Sequence, residues 1–229
     1  MKGLTAKKCG GDIFRYEAAR QLLTFYGDWL DRPYSLAEFC SEWRALREKH
    51  NAAFFAGEIS LQEQRRRRVR ELFARCHKKI SECEVDKFFA FYEYQYRKNW
   101  TLFDDVLPCF RSLRGFICGI ISNGSRAQQR LKLLRAGIAR YFDVVVVAEE
   151  VGAAKPDREI FLAACEQARC PVERCVYVGD SLDRDALASR AAGMRSFWLD
   201  RAGMQKDAPV QTIASLTELG ARLARERKG

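Results

Sequence analysis

The chain has 229 residues, carries a net charge of +10 and is 31% charged. That length admits one large domain or a core domain with a smaller insert. Apolar residues make up 48% of it, enough for a buried core. No apolar run reaches 18 residues, which excludes a membrane-spanning helix. The basic balance admits anionic partners without choosing among phosphorylated metabolites, nucleic acid or a membrane surface.

Nine cysteines are scattered and form no C-x-x-C pair. They read as reduced thiols used as small apolar residues in a cytoplasmic protein. Cys76, His77 and Cys83 make a weak zinc candidate. The segment Met1 to Asp12 has lysines with no apolar stretch behind them, unlike a secretory signal.

From Phe14 to Trp100 the pattern is helical, and four helices are predicted at 16–30, 35–55, 60–79 and 84–98. Ser35/Glu38, Ser60/Glu63 and Ser81/Glu84 have the spacing of capping boxes. The many aromatics here read as bundle core. Arg65 to Arg68 with Arg70 cover more than one helical face, so some must be plainly solvated. No aromatic interleaves them to stack on bases, which weighs against nucleic acid.

From Asp105 onward, helices and strands alternate. Helices are predicted at 105–114, 126–136, 157–169, 183–192 and 213–227. Strands are predicted at 116–121, 143–148, 174–179 and 195–199. This alternation predicts an α/β fold: a doubly wound, mostly parallel sheet carrying an inserted helical domain. The core domain takes residues 1–15 and 100–229, and the helical domain takes 16–99.

Three segments sit at or beyond strand ends. Ser122-Asn123-Gly124 offers a hydroxyl and backbone N–H groups beside a helix start. Lys155-Pro156 offers an ammonium on a restricted backbone. Gly179-Asp180, with Asp185 five residues later, offers paired carboxylates suited to a hard divalent ion. Taken singly, these read as a turn, a solvated lysine and a helix cap, the last being the role expected of Asp183. Taken together, they form a layout for handling phosphate and metal.

With these residues in place, the chain resembles the haloacid dehalogenase-like hydrolase superfamily, in its phosphatase branch. I-I-S-N-G-S matches that family's second motif, K-P its third and V-G-D-S-L-D-R-D its fourth. The resemblance implies a Rossmann-like core, a helical cap that selects substrate, and Mg2+-dependent hydrolysis of a small phosphorylated metabolite. Ser122 and the backbone of Asn123 and Gly124 would hold phosphoryl oxygens. Lys155 would stabilise developing charge. Asp180 would ligate Mg2+, and Asp185 would ligate it or orient a ligand water.

The family's first motif, D-x-D-x-T, supplies its nucleophile and its acid, and it is absent here. Aligning Ile13-Phe14 to the pair that follows that motif puts Lys8, Gly10 and Asp12 in the key slots. The strand ahead of them, Met1 to Lys7, is poorly apolar. An ammonium at Lys8 would repel a cation, so Mg2+ binding is expected to be weak. Two explanations stand open: a degenerate member that binds without turnover, or a functional N-terminus other than this one. The alternative function is a non-catalytic phosphate-ligand binder or interaction protein, a pseudophosphatase.

Overall fold

The structure, a computed structural model, describes residues 10–203 and 207–226. The chain divides into two compact units, Gly10–Trp100 and a second containing Thr101–Gly229.

The first unit is helical: α1 (Gly10–Tyr26), α2 (Leu36–Phe55), α3 (Leu61–Arg75) and α4 (Glu82–Lys98), with a short 3-10 turn at Gly27–Leu30. The first helix begins six residues earlier than its pattern predicts, so Gly10 and Asp12 lie in a helix and not at a strand end. Met1 to Lys8 lie outside the described residues. Ser35/Glu38 and Ser81/Glu84 form complete capping boxes. Ser60 makes only half of one, because the Glu63 carboxylate turns to Arg67 and Arg70 at 3.0 Å each. An aromatic core fills the unit. Phe88 is fully buried, with its ring centroid 4.9 Å from Tyr26, 5.2 Å from Phe73 and 6.1 Å from Trp43.

The arginine run is ion-paired and not simply solvated. Arg65 meets Glu93, Arg66 meets Asp86 and Arg70 meets Glu82, each within 2.7 Å. Gln64, Arg68, Val69, Leu72 and Phe73 form the buried stripe of α3, the spacing of one face of a 3.6-residue helix. Arg68 is therefore carried inward by the register of its own helix.

Glu71 ties α3 to α2. It accepts hydrogen bonds from Lys49 and Arg75, and His50 Nε2 lies 2.8 Å from it. Burial pushes its pKa up, but bonds from Lys49, Arg75 and His50 outweigh that and hold it down at about 2. A carboxyl whose folded pKa is depressed stabilises the fold above its unfolded value, about 4.3, and loses that contribution as pH falls toward the folded value. The urea midpoint of the helical unit is therefore expected to drop between about pH 4.3 and pH 2. Glu71→Gln should flatten that drop, and an identical pH slope in this variant would remove Glu71 from the account.

The second unit contains α5 (Val106–Ser112), β1 (Gly119–Ser122), α6 (Arg126–Arg135), β2 (Val144–Val147), α7 (Ala148–Val151), α8 (Arg158–Gln167), β3 (Val176–Gly179), α9 (Ala188–Ala191), β4 (Arg195–Leu199), β5 (Gln211–Ile213) and α10 (Leu216–Glu226). A π-helical turn, Leu182–Leu187, runs into α9. Among the described residues the strands form two parallel ladders, β1-β2 and β3-β4-β5. β1 is shorter than predicted at its start, and Phe116 and Ile117 are exposed ahead of it. β5 is an element that the sequence pattern did not announce.

Ile121, Val144, Val146, Ile160 and Phe161 make one apolar cluster, in which β1 and β2 meet α8. Phe197, Ile213, Leu219 and Leu223 make another, in which β4 and β5 meet α10. The strands being parallel, the loops after them emerge at one edge of each ladder.

Candidate functional site

Asn123, directly after β1, grips the backbone of Lys155. Its Oδ1 accepts the Lys155 N–H at 2.7 Å, and its Nδ2 donates to the Lys155 carbonyl at 2.8 Å. One amide side chain thereby satisfies both backbone groups of a loop residue, as a neighbouring strand would. The expectation for Asn123 placed its backbone at a ligand; the structure shows its side chain positioning the lysine.

The Lys155 ammonium donates to Asp185 Oδ1 at 2.6 Å and to the Tyr177 hydroxyl at 3.1 Å. The Tyr177 hydroxyl donates to the same Asp185 oxygen at 3.0 Å. Asp185 Oδ2 accepts the Ser181 N–H at 3.1 Å. Asp185 is only 4% exposed, and a carboxylate so buried needs this density of donors. Burial and then the charge of Asp185 push the Tyr177 phenol far above its ordinary pKa, so it remains a proton donor.

Gly179 is fixed by close approach. A Cβ built there would stand 2.3 Å from the Asp185 Cβ, which no side chain can tolerate. Glycine at the tip of β3 is what lets the following turn fold Asp185 back toward the strand.

Ser122 closes β1, and its Oγ accepts the Gly124 N–H at 3.1 Å. The hydroxyl keeps its own proton to donate, while the Gly124 N–H is turned onto the serine. Asp180 is exposed, and its carbonyl accepts a bond from Trp198 Nε1 at 3.2 Å. Asp183 does not cap the turn; the Ser181 hydroxyl does, accepting from the Arg184 N–H.

Of the predicted residues, Asn123, Lys155 and Asp185 are therefore bonded into one cluster. Tyr177 belongs to that cluster and was missed. The signal available was a lone phenol in a strand, two residues ahead of Gly179-Asp180.

Among the described residues no group of three or more His, Cys, Asp and Glu side chains gathers as a metal site. That removes the zinc candidate: Cys76 is buried with its Sγ 3.6 Å from the Tyr34 hydroxyl, while Cys83 is exposed. It also bears on Mg2+. Asp185 already accepts from an ammonium, a phenol and a backbone N–H, which leaves it little lone-pair capacity for a cation. A hard divalent ion takes six or more oxygens, so the described residues do not fit one by themselves.

Known proteins agree on the family. A sequence model of the haloacid dehalogenase-like hydrolases matches residues 16–193. The chain is 44% identical over 105 residues to pyrimidine 5'-nucleotidase YjjG of Escherichia coli, covering 44% of this chain and 47% of that protein. It is 38% identical over 97 residues to phosphoserine phosphatase of Thermus thermophilus, covering 42% and 38%. The aligned part spans about half the length, or less, of these curated relatives.

Among solved structures, the HAD hydrolase YfnB from Bacillus subtilis aligns with a TM-score of 0.76 at 21% identity, over 93% of this chain and 92% of that one. The 2-haloacid dehalogenase from Pseudomonas syringae pv. Tomato DC3000 aligns with a TM-score of 0.66 at 24% identity, over 99% and 96%. These likenesses establish the α/β fold. With the family model spanning most of its length, the chain belongs to the haloacid dehalogenase-like hydrolases.

Proposed function

We propose that the α/β unit binds the phosphoryl group of a small phosphorylated metabolite through Ser122 and Lys155, and that turnover by this chain is slow. The observation that carries the reading is the fixing of Lys155 by Asn123 and Asp185. A flexible side chain held at both its backbone and its tip presents its charge at one place, which is what transition-state or anion stabilisation needs. Tyr177 shares the work of holding the ammonium. Relatives named as a nucleotidase and as a phosphoserine phosphatase support a phosphorylated small molecule as the ligand class. In this reading the helical unit serves as the family's substrate-selecting cap.

Slow turnover rests on the sequence. With Ile13-Phe14 aligned to the pair that follows the family's first motif, Lys8 and Gly10 fall in its carboxylate slots, and Gly10 and Asp12 are helical. Loss of a covalent nucleophile removes several orders of magnitude in rate. Mg2+ would neutralise phosphoryl charge if bound, but the described residues do not complete its ligand set.

The test is binding of inorganic phosphate, measured by calorimetry, beside hydrolysis of an aryl phosphate with Mg2+ present. Lys155→Ala is expected to weaken phosphate binding at the α/β unit about tenfold or more. Unchanged affinity in that variant would overturn the site. Robust metal-dependent hydrolysis that Asp180→Asn abolishes would overturn slow turnover and leave the site standing.

A further inference from the structure

Among the described residues, the helical unit holds a buried cation with no carboxylate paired to it. Arg68 is 4% exposed. Its guanidinium lies 4.1 Å from the Trp43 ring centroid, 5.3 Å from Phe89 and 5.6 Å from Tyr92. Its Nε and Nη2 have no hydrogen-bond partner, and neither does Trp43 Nε1. The other arginines of the α3 run discharge onto Glu93, Asp86, Glu63 and Glu82; Arg68 alone of them is turned inward.

Aromatic faces attract a guanidinium from above and below its plane. They leave the N–H groups within that plane unsatisfied, and buried donors of this kind are normally paired. Nε and Nη2 are moreover the two parallel donors that a carboxylate or phosphate accepts as a fork.

Beside Arg68 is a cavity of about 30 Å3, whose walls include Arg15, Trp43, Arg44, Arg47 and Tyr92. Among the described residues no Asp or Glu lines it. Cys40, also in the wall, cannot serve as the counter-ion, since burial pushes its thiol up to about 11. Burial also lowers the Arg68 pKa, to about 10; the Tyr92 hydroxyl, which takes a bond from the guanidinium, opposes this, while Arg47 and Arg15 act in the same direction as burial. Among the described residues, several arginines thus stand around this place, of which Arg47 is ion-paired with Glu48.

We propose that this cavity is a binding site for a small oxyanion, a carboxylate or phosphoryl group, with Arg68 as its ligand. The site lies wholly within the helical unit. It does not depend on the reading of the Lys155 cluster.

The experiment uses the full chain and the Lys155→Ala variant, which removes the other phosphate site, with inorganic phosphate and acetate as separate probes. Binding is followed by calorimetry and by the tryptophan emission lost in a Trp43→Phe control. In Lys155→Ala, one of the two anions is expected to bind and to change the Trp43 emission. Adding Arg68→Met should weaken that binding about tenfold or more, and Arg68→Lys should recover little, because a lysine keeps the charge but loses the fork. Binding by phosphate alone assigns a phosphoryl group, and binding by acetate alone assigns a carboxylate. The proposal is overturned if neither anion changes Trp43 emission in the Arg68-containing protein. It is also overturned if the affinity is equal with and without Arg68→Met. Because the first readout needs no change at Arg68, a poorly folded Arg68→Met variant would still leave the proposal testable.

Discussion

Asp185→Ala is expected to destabilise the α/β unit by about 3 kcal/mol or more, the range found when one partner of a buried ion pair is removed. Its side chain is 6% exposed and that of Lys155 is 16% exposed, so solvent screens the pair little. The substitution strips the acceptor from the Lys155 ammonium, the Tyr177 hydroxyl and the Ser181 N–H at once. What remains is a largely buried charge with one phenol oxygen beside it. Asp185→Asn, which keeps an acceptor and loses the charge, should fall between parent and alanine.

Adding Lys155→Met to Asp185→Ala removes the stranded cation and should restore a large part of the loss. Urea denaturation, with hydrogen exchange read in β3, measures all four proteins. A change below about 0.5 kcal/mol for Asp185→Ala, the size of an ordinary surface substitution, would show that the pair is solvated in practice.

Phe88→Ala should cost the helical unit about 3–5 kcal/mol, the usual range for emptying a buried phenylalanine site. The ring is fully buried and touches aromatic partners contributed by α1, α2 and α3. Each edge-to-face or tilted pair adds to the area term by about 0.5–1.5 kcal/mol. Four helices converge on the hole, so relaxation by one of them cannot fill it. Tyr94, on the same helix and 61% exposed, supplies the control: Tyr94→Ala should stay within about 1 kcal/mol. Urea midpoints followed by far-UV circular dichroism compare the two. Equal losses would mean that Phe88 is not a keystone of this core.

The sequence made the helices and the motif-bearing strands readable for a physical reason. Runs such as Val144–Val147 have no polar alternation, and the ends of the helices carry capping serines whose chemistry is local. Lys155 was found because it sits beside a Pro that constrains the backbone, and Asp185 because it follows Gly179-Asp180 by five residues, one turn into a helix. Tyr177 escaped because an aromatic residue in a strand reads as packing, and only the fold reveals what its hydroxyl touches. Asn123 was assigned to a ligand because a turn asparagine carries no sign of which distant backbone it will bind. β5 is three residues long and begins with Gln211, so neither length nor hydropathy marks it. Arg68 was hidden by its neighbours: in a run of like charges, the residue that faces inward differs from the others only by helical phase.

The two-ladder arrangement has a consequence for the behaviour of many copies together. Among the described residues, β1 is paired only with β2 and β3 only with β4, and a strand side without a ladder partner can pair with another chain. The net charge of +10 holds copies apart over roughly one Debye length, about 10 Å at 0.1 M salt. Added salt shortens that distance while leaving backbone pairing almost untouched. Self-association of this chain is therefore expected to rise with ionic strength, as the excess of lysine and arginine loses its reach.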